Sequence, residues 1–219
     1  MVLAPHQVSP LVDPSGAASA GGAPTASDGR EVDGWLAGAA AQGDEGAFDQ
    51  LVRRHTPALY AGALRVTGSP DMAQDVVQEA WLSVWLGLPG FRGHSAVRTW
   101  LVRIVTTKAL NSLRRPHRTV PLEAVPEPVT AGTEREAELR ERAAAVRAAI
   151  AQLPVRQCEA VVLRDLQGLS YDEVASALGC SVASVKSALF RGRQTLAVEL
   201  EQHRPGDMPG AHRQQGSHP

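Results

Sequence analysis

Ser184, Ser187, Arg191 and Thr195 follow one another at steps of three and four near the end of the chain. At 3.6 residues per turn they share one side of a helix, while Val182, Val185, Leu189, Leu196 and Leu200 fall on the other. The apolar side can hold such a helix to a core. The hydroxyls and the guanidinium can donate hydrogen bonds to base edges and phosphates. Lys186 and Arg193 lie near the apolar edge, where their stems can pack while their charges reach a nucleic-acid backbone. A second polar stripe is Arg103, Thr107, Asn111 and Arg114, set against Val97, Leu101, Ile104 and Val105, with Trp100 on the border. Cations hold phosphates, amides and hydroxyls read bases, and an aromatic ring stacks on an unpaired base. Core packing is nonetheless the favoured role for Trp100. Asp75 and Glu79 form a third constellation, an acidic pair one helical turn apart that repels itself slightly unless a cation neutralises it.

Other chemistry has little support. His55, His94, His117, Cys158 and Cys180 are the only obvious reactive side chains. The sequence contains no glycine-rich phosphate loop, paired-histidine metal motif or Gly-x-Ser-x-Gly elbow. The two cysteines match no metal spacing and read as thiols in a reducing cytoplasm. No catalytic residue, metal site or cofactor is therefore expected, and the chain reads as a binding protein and not an enzyme. No run approaches the roughly 18 apolar residues that span a bilayer. The N-terminus has no charged start followed by an apolar stretch, so a cytoplasmic protein without membrane insertion is expected. The net charge of -1 does not suggest nucleic acid, but its distribution does. From Arg92 to Arg118 there are seven Lys or Arg and no acid, whereas Glu123 to Glu141 holds six acids and two arginines.

These stripes need helices to carry them. With 43% hydrophobic and only 4% aromatic residues, the cores must be built from Ala, Leu and Val, which favour helices. The spacing of Phe48, Leu51, Val52, His55 and Leu59 predicts a helix from an Asp44 cap to about Val66. Ser69-Pro70-Asp71 starts another that runs to about Trp85. Ser95 can cap a third, ended by Pro116. In the second half, one helix leads to Gln152, the next starts at Leu153-Pro154 and ends at Gly168, and Ser170 to Glu173 forms a capping box. That box opens a short helix closed by Gly179, and Ser181 caps the last helix. A short helix, a tight glycine turn and a longer polar-faced helix make a helix-turn-helix. The expected fold is all-α: two small helical domains, 31-115 and 134-202, joined by a flexible proline-rich linker, 116-133, with the helix-turn-helix in the second. Residues 1-30 and the tail 203-219 read as disordered.

The motifs in this order resemble the sigma-70 family of bacterial RNA polymerase sigma factors, in its small extracytoplasmic-function (ECF) group. Asp44 to Phe48, Asp71 to Trp81, Phe91 to Ser95 and Arg98 to Ile104 are similar to sigma domain 2. Leu153 to Gln157, Gly168 to Ala175, Val185 to Ser187 and Arg191 to Arg193 are similar to sigma domain 4. The resemblance spans about 165 of the 219 residues. It implies a sigma factor with core RNA polymerase and promoter DNA as partners, and an anti-sigma factor as a common further one. It implies that Asp71, Asp75, Gln78 and Glu79 dock on the polymerase. Arg92, His94, Arg98, Trp100, Arg103, Thr107, Asn111 and Arg114 would serve the -10 element. Ser184, Lys186, Ser187, Arg191 and Arg193 would serve the -35 element. Members often carry Arg and His where Ala188 and Phe190 stand here, and Gly192 weakens a helix, so unusual -35 specificity or weak binding is expected. A stand-alone helix-turn-helix regulator is the alternative; it leaves the basic helix and the acidic segment unexplained.

Overall fold

The computed structural model describes residues 29–114 and 134–202, and every regular element among them is helical. The expectations for 1–28, for the linker and for the tail lie outside the described residues. The first unit comprises α1 (Gly29–Ala41), α2 (Glu45–Thr67), α3 (Pro70–Gly87) and α4 (Val97–Arg114). The second comprises α5 (Glu134–Gln152), α6 (Val155–Val161), α7 (Tyr171–Leu178) and α8 (Val182–Gln202), with a π turn, Val162–Leu166, prolonging α6.

Local chemistry explains most boundaries. Asp44 accepts a hydrogen bond from the Ala47 amide at 3.0 Å, and Gly68 closes α2 in the left-handed conformation with its N–H on the Leu64 carbonyl. Ser69 accepts from the Met72 amide and Pro70 occupies the first turn of α3. The expected Ser95 cap is not where α4 begins. Ala96 precedes Val97, and its carbonyl accepts from the Trp100 N–H. Burial of Val97 in the core sets this start in place of cap chemistry.

Leu51, Leu59, Ala63 and Val66 of α2 sit at the centre of the first unit, buried against α3 and α4. Helix α1 was not anticipated; it begins at Gly29, inside the stretch assigned to the extension. Its buried Asp33, Leu36, Ala37 and Ala40 carry the helical period that identifies it. Asp33 takes the Arg54 Nε at 3.0 Å on one oxygen, and the His55 Nε2 lies 3.0 Å from the other. The histidine contact is an ion-pair distance without hydrogen-bond alignment, since that Nε2 is unsatisfied by angular criteria. His55 is thus a buried partner tying α2 to α1.

In the second unit the capping box is complete: Ser170 accepts from the Glu173 amide, and Glu173 accepts from the Ser170 amide at 2.8 Å. Gly179 turns the chain at φ 61°, and α7 and α8 meet at 100°. The Ser181 hydroxyl accepts from the Ser184 amide at 3.2 Å and so starts α8 as expected. Gly192 has a positive role. It is buried where α8 crosses α6, and a Cβ there would stand 2.9 Å from Val161 Cγ2.

Candidate nucleic-acid interface

Helix α8 is two-faced. Val185 and Leu189 are buried, while Ser184, Ser187 and Arg191 are exposed and line an open cleft with Arg156 of α6. Two hydroxyls and two guanidinium groups thus converge, and all can donate to phosphate oxygens or to the acceptor edge of guanine. Arg193 is positioned differently: its Nε and Nη2 bond both oxygens of Asp165 at 3.0 and 2.6 Å. Lys186 is exposed and its ammonium lies 5.7 Å from the Tyr171 ring centre, with Arg164 over the same ring at 4.8 Å. Phe190 stands out from this helix, 64% exposed.

The stripe on α4 divides into three settings. Trp100 is half-buried, its ring 4.8 Å from Phe91, and it faces a cleft with Arg92, His94 and Arg103. Asn111 is exposed in a second cleft beside Met72, Asp75, Glu79 and Lys108, with Thr107 half-buried one turn before it. Arg114 reaches out of the first unit: its Nε and Nη2 donate to the Ala151 and Leu153 carbonyls at 3.3 and 3.0 Å. Arg98 faces Glu173 of α7. The Glu173 carboxyl is held below its ordinary range first by the Ser170 N–H, with Arg98 and Arg30 adding smaller attraction.

On α3, Asp71, Asp75, Gln78 and Glu79 are all exposed. Lys108 Nζ lies 3.6 Å from Glu79 Oε2, so a cation within the chain partly relieves the acidic pair and accounts for Lys108, which helix periodicity puts toward the apolar side. The same face continues in Leu82 and Leu86, 67% and 80% exposed, with Trp85 beside them. Residues 75, 79, 82 and 86 lie at helical steps of four, three and four, so acid runs into bare hydrocarbon along one stripe. The reading by charge alone missed the apolar half. Its signal was the period of Leu82 and Leu86 on a helix whose core face was already taken by Val76, Val77, Ala80 and Val84.

Among the described residues no group of three or more His, Cys, Asp or Glu could hold a metal. No single described helix is long and apolar enough to cross a membrane.

Comparison with known proteins matches these units separately. Residues 51–119 match the model of Sigma-70 region 2, and residues 143–196 match that of Sigma-70, region 4. The ECF RNA polymerase sigma factor SigM of Mycobacterium tuberculosis is 43% identical over 157 residues, 71% of this chain and 78% of that one. The ECF RNA polymerase sigma-E factor of Escherichia coli is 34% identical over 172 residues, 73% of this chain and 90% of that one. Among solved structures, that of CnrH in complex with the cytosolic domain of CnrY is similar at a TM-score of 0.55 and 29% identity, covering 78% of this chain and 99% of that one. With both regions present in order and with relatives matched over most of their length, the chain belongs to the ECF group of the sigma-70 family of RNA polymerase sigma factors.

Proposed function

We propose that the chain is a non-catalytic initiation subunit that binds core RNA polymerase in the cytoplasm and directs it to promoters. The first unit docks through the α3 stripe, Asp71, Asp75, Gln78 and Glu79 followed by Leu82 and Leu86. It also engages the -10 element through Arg92, His94, Arg98, Trp100, Arg103, Thr107 and Asn111. The second unit reads the -35 element through Ser184, Lys186, Ser187 and Arg191, with Arg193 as a positioning residue fixed by Asp165. An anti-sigma factor is the expected regulator, on the strength of family membership.

The observation that carries this reading is the α3 stripe. It is an exposed acidic and apolar surface on the unit that also bears a DNA-reading face, which a free-standing DNA-binding regulator does not need. Reversing charge at Asp75 and Glu79 together is expected to weaken binding to core polymerase by about 1 to 3 kcal/mol, roughly 5- to 150-fold, with the helical circular dichroism unchanged. Normal polymerase binding by the folded double variant would contradict the assignment.

A further inference from the structure

Tyr171 opens α7, and its ring is where cations from two other elements meet. Arg164 Cζ lies 4.8 Å from the ring centre and Lys186 Nζ 5.7 Å from it, both within the range at which a cation is drawn to an aromatic face. A third cation, Arg193, stands at the same place. Its guanidinium is held protonated above its ordinary range first by the hydrogen bonds to Asp165, with the Tyr171 hydroxyl adding a smaller attraction. Arg164 and Asp165 are presented by the π turn, Lys186 and Arg193 by α8. Turns of this kind are uncommon and concentrate where a helix has a task beyond packing. Arg164 is fixed further by donating from Nη1 to the Leu169 carbonyl at 2.7 Å.

Packing alone does not call for this cluster. Among the described residues, Asp165 is the only acid bonded to any of the three cations, and Arg193 takes both of its oxygens. Glu173, two residues on from Tyr171, falls on the other side of α7. There its carboxylate accepts the Ser170 N–H and lies 3.8 Å from Arg30. Arg164 and Lys186 therefore share one ring with no carboxylate bonded to either. Like charges gathered in this way repel unless an anion from outside joins them. Lys186 is exposed and Arg164 and Tyr171 are half-buried, so the cluster is open to such a partner.

The place of the cluster in the helix-turn-helix says which anion. When the second helix of such a motif lies in the major groove, the first crosses the phosphate backbone, and here the first helix begins at Tyr171. On α8, Lys186 and Arg193 point more than a quarter turn away from the face made by Ser184, Ser187 and Arg191. A helix about 10 Å across nearly fills a major groove about 12 Å wide, so groups off the reading face meet the groove wall, which is phosphate. We propose that Arg164 and Lys186, held on the ring of Tyr171, clamp the phosphodiester backbone beside the -35 element, with Arg193 anchored by Asp165 as the third wall of the site. The ring is the platform that fixes both cations. The clamp adds affinity and register but no sequence preference, since every nucleotide presents the same phosphate. Its part in promoter recognition rests on the sigma-factor reading; its affinity for a DNA backbone does not.

The test measures duplex binding by the full chain from low to physiological salt. A random-sequence duplex serves for the free chain and a promoter duplex for the chain on core polymerase. Each lost phosphate contact flattens the slope of log affinity against log salt by about 0.9. Arg164→Gln keeps a donor for the Leu169 carbonyl and removes the charge, so it should flatten the slope by about that amount on both duplexes. Tyr171→Leu removes the platform and should do the same, whereas Tyr171→Phe keeps the ring and should hold the wild-type slope. Preference among single-base variants of the -35 element should be unchanged throughout. Wild-type slopes in both Arg164→Gln and Tyr171→Leu overturn the clamp, even if Tyr171→Leu lowers the urea midpoint as a merely structural ring would. A Tyr171→Phe slope as flat as that of Tyr171→Leu overturns the ring's role as platform. An altered base preference in Arg164→Gln overturns the division between clamp and reading face. If the slopes flatten on the random duplex but neither the variants nor the wild type bind polymerase, the clamp stands and the sigma-factor reading falls.

Discussion

Arg191 and Arg193 stand two positions apart on α8 and meet different surroundings. Asp165 holds Arg193, whereas Arg191 lines the open cleft with Ser184 and Ser187. Arg191→Ala should therefore cost roughly 1 to 3 kcal/mol of promoter binding and relax preference at one -35 position, which a binding series over single-base variants of that element measures. Arg103 and Asn111 belong to the other unit, so their alanine variants should leave -35 preference intact and impair -10 recognition or opening. A pre-melted -10 bubble should restore transcription to the Arg103 and Asn111 variants but not to the Arg191 variant. The cysteines divide in a similar way. Cys158 is fully buried with its thiol on the Ile150 carbonyl, and burial pushes its pKa up to about 11, while Cys180 is only partly covered. Iodoacetamide at neutral pH should modify Cys180 readily and Cys158 only on unfolding, as read by mass spectrometry; rapid labelling of native Cys158 would contradict its placement.

At the scale of elements, the crossing of α8 over α6 sets the pose of the reading face. Gly192→Ala ought to gain about 1 kcal/mol from helix propensity alone. The new Cβ, 2.9 Å from a stiff valine methyl, forces the helices apart, and overpacking of this kind costs about 1 to 3 kcal/mol. Gly192→Ala is expected to lower the second unit's stability by about 1 kcal/mol net in a urea titration; a gain would show that the crossing relaxes without strain. This is where sequence reasoning ran short. Periodicity identified the faces of α2, α4 and α8, and side-chain capping located the starts of α2, α3, α7 and α8, because both signals are local. The glycine at a crossing, the pairing of Lys108 with Glu79 and the capture of Arg193 by Asp165 depend on which helices meet. That information lies in tertiary packing and in no single window of residues. Helix α1 was missed for a different reason: its period rests on one leucine, Leu36, with two alanines and a buried aspartate, and the aspartate reads as a surface charge until Arg54 and His55 are seen to complete it.

At the scale of the molecule, two small bundles carry the three surfaces proposed to work: the α3 stripe, the α4 cleft and the α8 face. The order of the bundles and the type of each were readable from the motifs. Their packing onto one another was not, since the contacts that close them, Gln167 on Gly62 and Arg114 on the end of α5, join residues 105 and about 40 positions apart. A near-neutral chain whose basic groups lie in two separate faces is expected to bind duplex DNA weakly by itself, because phosphate neutralisation supplies most non-specific affinity. Promoter selection should therefore emerge only on the polymerase. The most direct test is run-off transcription from a genomic promoter library at physiological salt, with core polymerase alone, the chain alone and the two together. Discrete start sites, preceded by shared -10 and -35 sequences, are expected only when both are present. Tight sequence-specific binding by the isolated chain, with no new start sites when core polymerase is added, would contradict that expectation.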